Sequence, residues 1–191
     1  MMDLVQLLNM ADETAEEGVR LLADLVRFET VNTGVMPTGN ELPLCQFIQD
    51  WLNREGVGSQ IFLSAENRGN LVARLPGSEG SPRLLYMGHI DVVPVEDPDE
   101  WRFPPFSAEV ANGRLWGRGA SDMKSMVAAE LMAMALLRRA GAPLKGDLIV
   151  ASAADEETGG KYGFGWLAEH APDAIRAEYA INEGGGGPIP I

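Results

Sequence analysis

Histidine and cysteine are the scarce residues of this 191-residue chain: two of the first, His89 and His170, and one of the second, Cys45. A lone cysteine excludes an intrachain disulfide and suits a reducing compartment. Nothing near Cys45 in the sequence would activate a thiolate, so it reads as an inert small side chain. Basic residues are few as well: 15 Lys and Arg stand against 28 Asp and Glu, a formal net charge of −13. That balance opposes nucleic acid, which needs a basic footprint. It opposes adhesion to anionic membranes for the same reason. No apolar run approaches the roughly 20 residues that span a bilayer. The opening "MMDLVQLLNMADETAEEG" is acidic and lacks a basic n-region, so no signal peptide is expected and a cytoplasmic location is.

The remaining composition is that of a globular protein, with 46% apolar residues. The length suits one substantial core, and no linker or repeat divides it. Ala15 to Phe28 reads as an amphipathic helix, with Val19, Leu22, Leu25 and Val26 on one face. A second helix follows Asn40, its expected N-cap, with Pro43 in the first turn. Leu44, Phe47, Ile48, Trp51 and Leu52 form its stripe, and Gly56 its stop. Short strands are expected at Gln60 to Leu63, Leu71 to Leu75 and Arg83 to Met87. Asn112-Gly113 between apolar flanks signals a hairpin. A long helix over Met123 to Arg139 precedes a strand at Asp147 to Ser152, a short helix at Tyr162 to His170, and a strand at Glu178 to Asn182. Strands alternating with helices predict an α/β fold, a mostly parallel sheet flanked by helices.

The acids have positions that matter more than their number. In open α/β sheets, sites form outside the carboxyl ends of strands. "LLYMGHID" delivers His89 and Asp91 there. "GRGASDMK" sets Asp122 just before a helix. "DLIVASAADEE" delivers Asp155, Glu156 and Glu157, and "EYAINE" delivers Glu183. Taken singly, each has an ordinary explanation: a helix cap for Asp122, a solvated loop for Asp155 to Glu157, a surface acid, a core histidine. Taken together, four segments would each need a separate one. An imidazole among carboxylates suits Zn²⁺, with Co²⁺ or Mn²⁺ as substitutes. In H-x-D on an extended strand, residues i and i+2 face one side, so Asp91 can hold His89 without touching a metal. Of the adjacent Glu156 and Glu157, one can bind metal while the other serves as a base for water. His170, near a helix end, suits the helix dipole better than a ligand role. A serine triad of Ser121, His89 and Asp91 lacks a G-x-S-x-G elbow and leaves three glutamates idle. The terminal "EGGGG" lacks the lysine of a phosphate loop.

The stretches "GHIDVVPV", "PPFS", "GRLWGRGASDMKSMVAAEL", "DEETGG" and "NEGG" together resemble the zinc-dependent aminoacylase and carboxypeptidase family, metallopeptidase family twenty. It includes aminoacylase, acetylornithine deacetylase, succinyl-diaminopimelate desuccinylase and Gly-X carboxypeptidase. The likeness runs from about Asn70 onward, and "GRGASDMK" with "DEETGG" leans toward the aminoacylase and carboxypeptidase members. It implies His89 and Glu183 as ligands of a first metal, Asp122 as a bridge, and Glu157 as a ligand of a second. It implies Glu156 as general base, Asp91 as the group orienting His89, and a cis peptide after Asp122. The cofactor implied is a pair of Zn²⁺ ions. The reaction implied is amide hydrolysis of an N-acyl amino acid or short peptide with a free carboxylate. In such a family, residues 1–191 correspond to the N-terminal portion of the catalytic domain. The inserted dimerisation domain, through which the full-length relatives form homodimers, and the C-terminal part of the catalytic domain have no counterpart here. One histidine of the second metal site and one substrate-binding histidine belong to those parts. The alternative expectation is a non-catalytic remnant that folds and binds one metal or none.

Overall fold

The computed structural model describes residues 3–183. The glycine run from Gly184 and the last residues of the "NEGG" match lie outside them. Among the described residues, six α-helices and seven strands follow in chain order: α1 (Leu4–Glu13), α2 (Ala15–Val26), α3 (Leu42–Arg54), β1 (Gly58–Ala65), β2 (Arg68–Leu75), β3 (Gly80–His89), β4 (Glu109–Ala111), β5 (Arg114–Trp116), α4 (Lys124–Arg139), β6 (Gly146–Ala153), α5 (Phe164–His170), α6 (Pro172–Ile175) and β7 (Tyr179–Ile181).

Five strands form one sheet in the order β1-β2-β6-β3-β7. Strand alternation sorts its side chains into two cores. Leu71, Ala73, Leu148 and Val150 face α2, α3 and α4, where Leu25, Ile48, Leu52, Leu131 and Met134 are buried. Val72, Leu85, Ile149 and Ala151 face the other way, onto Leu167 of α5 and its neighbours. The α/β fold with flanking helices is as the sequence predicts. The sheet is mixed, however: β3 pairs in parallel with β6 and with β7, whereas β1–β2 and β2–β6 are antiparallel. The reason is local. Only two residues separate β1 from β2, with Asn67 at φ +58°, so those strands must form a hairpin.

Local signals are mostly where the sequence puts them. Asn112 and Gly113 both take positive φ between β4 and β5. Gly56 does the same after α3. Two differ. The N-cap of α3 is Glu41 and not Asn40, and it makes no side-chain cap bond because its carboxylate is engaged by Arg68. α1 is an additional helix, started by a capping box between Asp3 and Gln6.

Candidate metal centre

Strands β3, β6 and β7 are mutually parallel, so their carboxyl ends lie on one edge of the sheet. β3 ends at His89, which pairs with Ala153 at the end of β6. After Ala153 the chain makes a short 3-10 turn bearing Glu156 and Glu157. Glu183 follows β7 by two residues. Asp122 arrives from the segment after β5, immediately before α4. It is not a helix cap: Met123 occupies that position and no side chain caps the helix. The Asp122–Met123 peptide is cis.

His89, Asp122 and Glu183 each offer one ligand atom, and these atoms lie within 4.8 Å of one another. His89 Nε2 is 3.1 Å from Asp122 Oδ1, 3.7 Å from Glu183 Oε2 and 3.8 Å from Glu156 Oε2. The imidazole is almost wholly buried, and its Nδ1 lies 3.0 Å from the Asp91 carbonyl and 3.4 Å from the Asp91 carboxylate. That contact leaves Nε2 as the ring atom facing the acids. Glu157 does not join this trio; with Asp122, Arg118 and Ser121 it lines an adjoining cavity of about 190 Å³. His170 stands in the last turn of α5, stacked on Trp166 with ring centroids 4.6 Å apart.

The electrostatics match so crowded an arrangement. Burial alone would depress the His89 pKa, but Asp91, Asp122 and Glu156 outweigh it and hold the imidazolium up to about 9. Burial and neighbouring carboxylates raise both Glu157 and Glu183, against the pull of His89. A divalent cation in the same place would replace the proton and neutralise the acids.

Sequence reading missed what lies behind the rim. The fully buried Asp91 carboxylate accepts the backbone N–H groups of Glu156 (3.1 Å) and Glu157 (3.2 Å) and the Asn32 amide (2.8 Å). One carboxylate thus holds His89 and the Glu156–Glu157 turn together. Lys124 is also fully buried; its Nζ donates to the Phe28 carbonyl at 2.9 Å, and burial pushes its pKa down to about 7. The cavity wall further contains a cation, Arg118, whose Nη2 donates to the Pro94 carbonyl. A basic residue between glycines is not marked out by spacing alone.

The family model for peptidase family M20/M25/M40 matches residues 85–189, more than half of the chain. The chain belongs to this family. A probable succinyl-diaminopimelate desuccinylase of Staphylococcus epidermidis is 36% identical over 154 residues, which cover 81% of this chain and 36% of that protein. The M20 fold is shared with human carnosine dipeptidase 1, at a TM-score of 0.77 and 21% identity over 93% of this chain and 40% of that one. It is shared too with the M20 metallo-carboxypeptidase Sso-CP2 of Sulfolobus solfataricus, at a TM-score of 0.74 and 24% identity over 89% and 38% of the two chains. The chain therefore spans about 36% of the length of that desuccinylase.

Proposed function

We propose that the chain carries the cation-binding rim of a metal-dependent amidohydrolase acting on N-acyl amino acids or short peptides with a free carboxylate. One observation carries this reading: the ligand atoms of His89, Asp122 and Glu183 converge within 4.8 Å from three separate segments at one sheet edge. The donor set fits Zn²⁺, which takes imidazole nitrogen and carboxylate oxygen; Co²⁺ or Mn²⁺ would serve as substitutes. His89, Asp122 and Glu183 would hold one ion, and Asp122 and Glu157 would contribute to a second. Bound there, the ions would polarise the scissile carbonyl and make water acidic enough to attack at neutral pH. Glu156 stands 3.8 Å from His89 Nε2 and is half exposed, so it can reach a water at the rim. It would take the proton of the attacking water and pass it to the leaving amine. Asp91 would position both sides of the site, through His89 and through the two turn amides.

A cytoplasmic location, and homodimers for the full-length relatives, belong to the same proposal. No helix among the described residues is long and apolar enough to cross a membrane. A second reading follows from the share of the relatives that the chain spans: it folds and binds one cation or none, without turning over substrate. Metal analysis after Zn²⁺ or Co²⁺ loading, followed by hydrolysis of N-acetyl amino acids, separates the two. The first reading expects bound cation and a rate that Glu156→Ala abolishes. Folded protein with no hydrolysis, whether or not cation is bound, selects the second reading, and no bound cation removes the first.

A further inference from the structure

Arg68, at the start of β2, is the large cation buried behind the rim, only 2% exposed. Its guanidinium spreads over three acceptors. Nη2 donates to Asp155 Oδ1 at 3.0 Å, and Nη1 to the Thr38 carbonyl at 2.9 Å. Nε lies 3.0 Å from Glu41 Oε2, close enough for an ion pair although not aligned as a hydrogen bond. The plane also sits over the Tyr162 ring, 5.4 Å from its centroid. The loop before α3 is shaped around it: a Cβ on Gly39, at φ +83°, would lie 2.4 Å from the Arg68 guanidinium carbon.

Asp155 immediately precedes Glu156 and Glu157 and holds a left-handed backbone, φ +69°. Its buried carboxylate accepts from Arg68, from Asn32 Nδ2 (3.1 Å), from the Thr158 hydroxyl (2.7 Å) and from the Tyr162 backbone N–H (2.9 Å). Asn32 Nδ2 also donates to Asp91, which in turn accepts the Glu156 and Glu157 amides. A closed path therefore runs from Arg68 through Asp155 and Asn32 to Asp91 and the turn.

We propose that Arg68 is a positioning residue: through Asp155 and Asn32 it fixes the turn that presents Glu156 and Glu157, and so controls the second cation position separately from the first. This rests on the metal reading above. The chemistry favours arginine, whose planar fork donates to the Thr38 carbonyl and Asp155 while its charge also faces Glu41, where a lysine is a single point charge. Without it, Asp155 and Glu41 would be buried together with no cation between them, an arrangement that burial disfavours unless they take up protons or move. Movement of Asp155 is movement of the turn. His89, at the end of β3, meets this path through Asp91 and through the Glu156 carboxylate, 3.8 Å from its Nε2, but is itself fixed by the strand and by the Asp91 backbone carbonyl. Glu183, two residues beyond β7, stands on a separate segment.

The test compares wild type with Arg68→Met and Arg68→Lys. Two quantities are read: hydrogen exchange of the Glu156 and Glu157 amides in metal-free protein, and a Co²⁺ titration in which Glu157→Ala marks the weaker phase. For Arg68→Met, exchange at those two amides rises and the weaker phase loses about 10–100-fold in affinity, the range found when groups behind metal ligands are removed. The stronger phase, abolished by His89→Ala, shifts less than about twofold, and Arg68→Lys recovers part of the loss. Unchanged exchange at the turn overturns the proposal. So does a parallel loss in both phases with faster exchange throughout β2 and β6, which is general destabilisation. Should Arg68→Met not fold, Asp155→Asn is read in the same way. Wild type that binds no Co²⁺ ends the metal reading, and the exchange comparison still decides the role of Arg68.

Discussion

Glu130 offers a prediction whose size can be worked out. It lies on α4, 7% exposed, and among the described residues neither carboxylate oxygen has a hydrogen-bond partner. It lines a groove of about 250 Å³ with Tyr86, Met126, Ala129, Ala133 and Ile181, which are apolar apart from the tyrosine hydroxyl. Burial alone raises its pKa from 4.5 to about 7. Between those two values the unfolded chain has released the proton that the folded chain keeps. Stability therefore falls as pH rises from 4.5 to about 7 and is level above that. At about 1.4 kcal/mol per pH unit, the full penalty is about 3 kcal/mol. Glu130→Met keeps length and helix propensity and removes the ionisable group. Chemical denaturation should show the variant gaining about 3 kcal/mol over wild type at pH 8 relative to the same comparison at pH 4.5, or about 6–12 °C in Tm for a chain of this size. An equal difference at both pH values, or a variant less stable at pH 8, would refute the argument that an unpaired buried carboxylate is the cause.

Cation binding should release a proton at pH 8, because His89 without metal is held protonated up to about 9; calorimetry in buffers of different ionisation enthalpy would show it, and affinity should rise with pH. The Arg83–Glu178 pair, 2.8 Å apart at the sheet edge, holds the Glu178 pKa down to about 2. Its stabilisation is present above 4.5 and lost as pH falls toward 2, so Glu178→Gln should differ from wild type at pH 6 and match it near pH 2 in the same denaturation assay. Leu131→Ala, at a fully buried position between α4 and the sheet, should cost about 2–5 kcal/mol and leave cation affinity unchanged in the folded protein.

What the sequence revealed and what it hid divide along physical lines. The apolar spacing of Leu44, Ile48, Trp51 and Leu52 states a helix, and those side chains are buried in α3. Asn112-Gly113 states a hairpin, since both residues must take positive φ. The meeting of His89, Asp122 and Glu183 was legible in outline, because the carboxyl ends of β3, β6 and β7 share one edge when these strands run parallel. The antiparallel β1–β2 pair went unread although the two-residue gap at Glu66-Asn67 was a usable signal. α1 went unread because its apolar residues, Leu4, Val5 and Leu8, remain exposed; the capping pair Asp3 and Gln6 was its one mark. The Arg68 network had no signal to give. Arg68 and Asp155 are 87 residues apart, Asn32 and Asp155 123, and no local pattern encodes such a meeting.

Anomalous diffraction from crystals grown with Zn²⁺ tests the central claim most directly. The account predicts a zinc peak about 2.0–2.2 Å from His89 Nε2 and from a carboxylate oxygen of Asp122 and of Glu183. Zinc-loaded crystals with no peak among those three side chains, or with zinc only elsewhere on the surface, would contradict it.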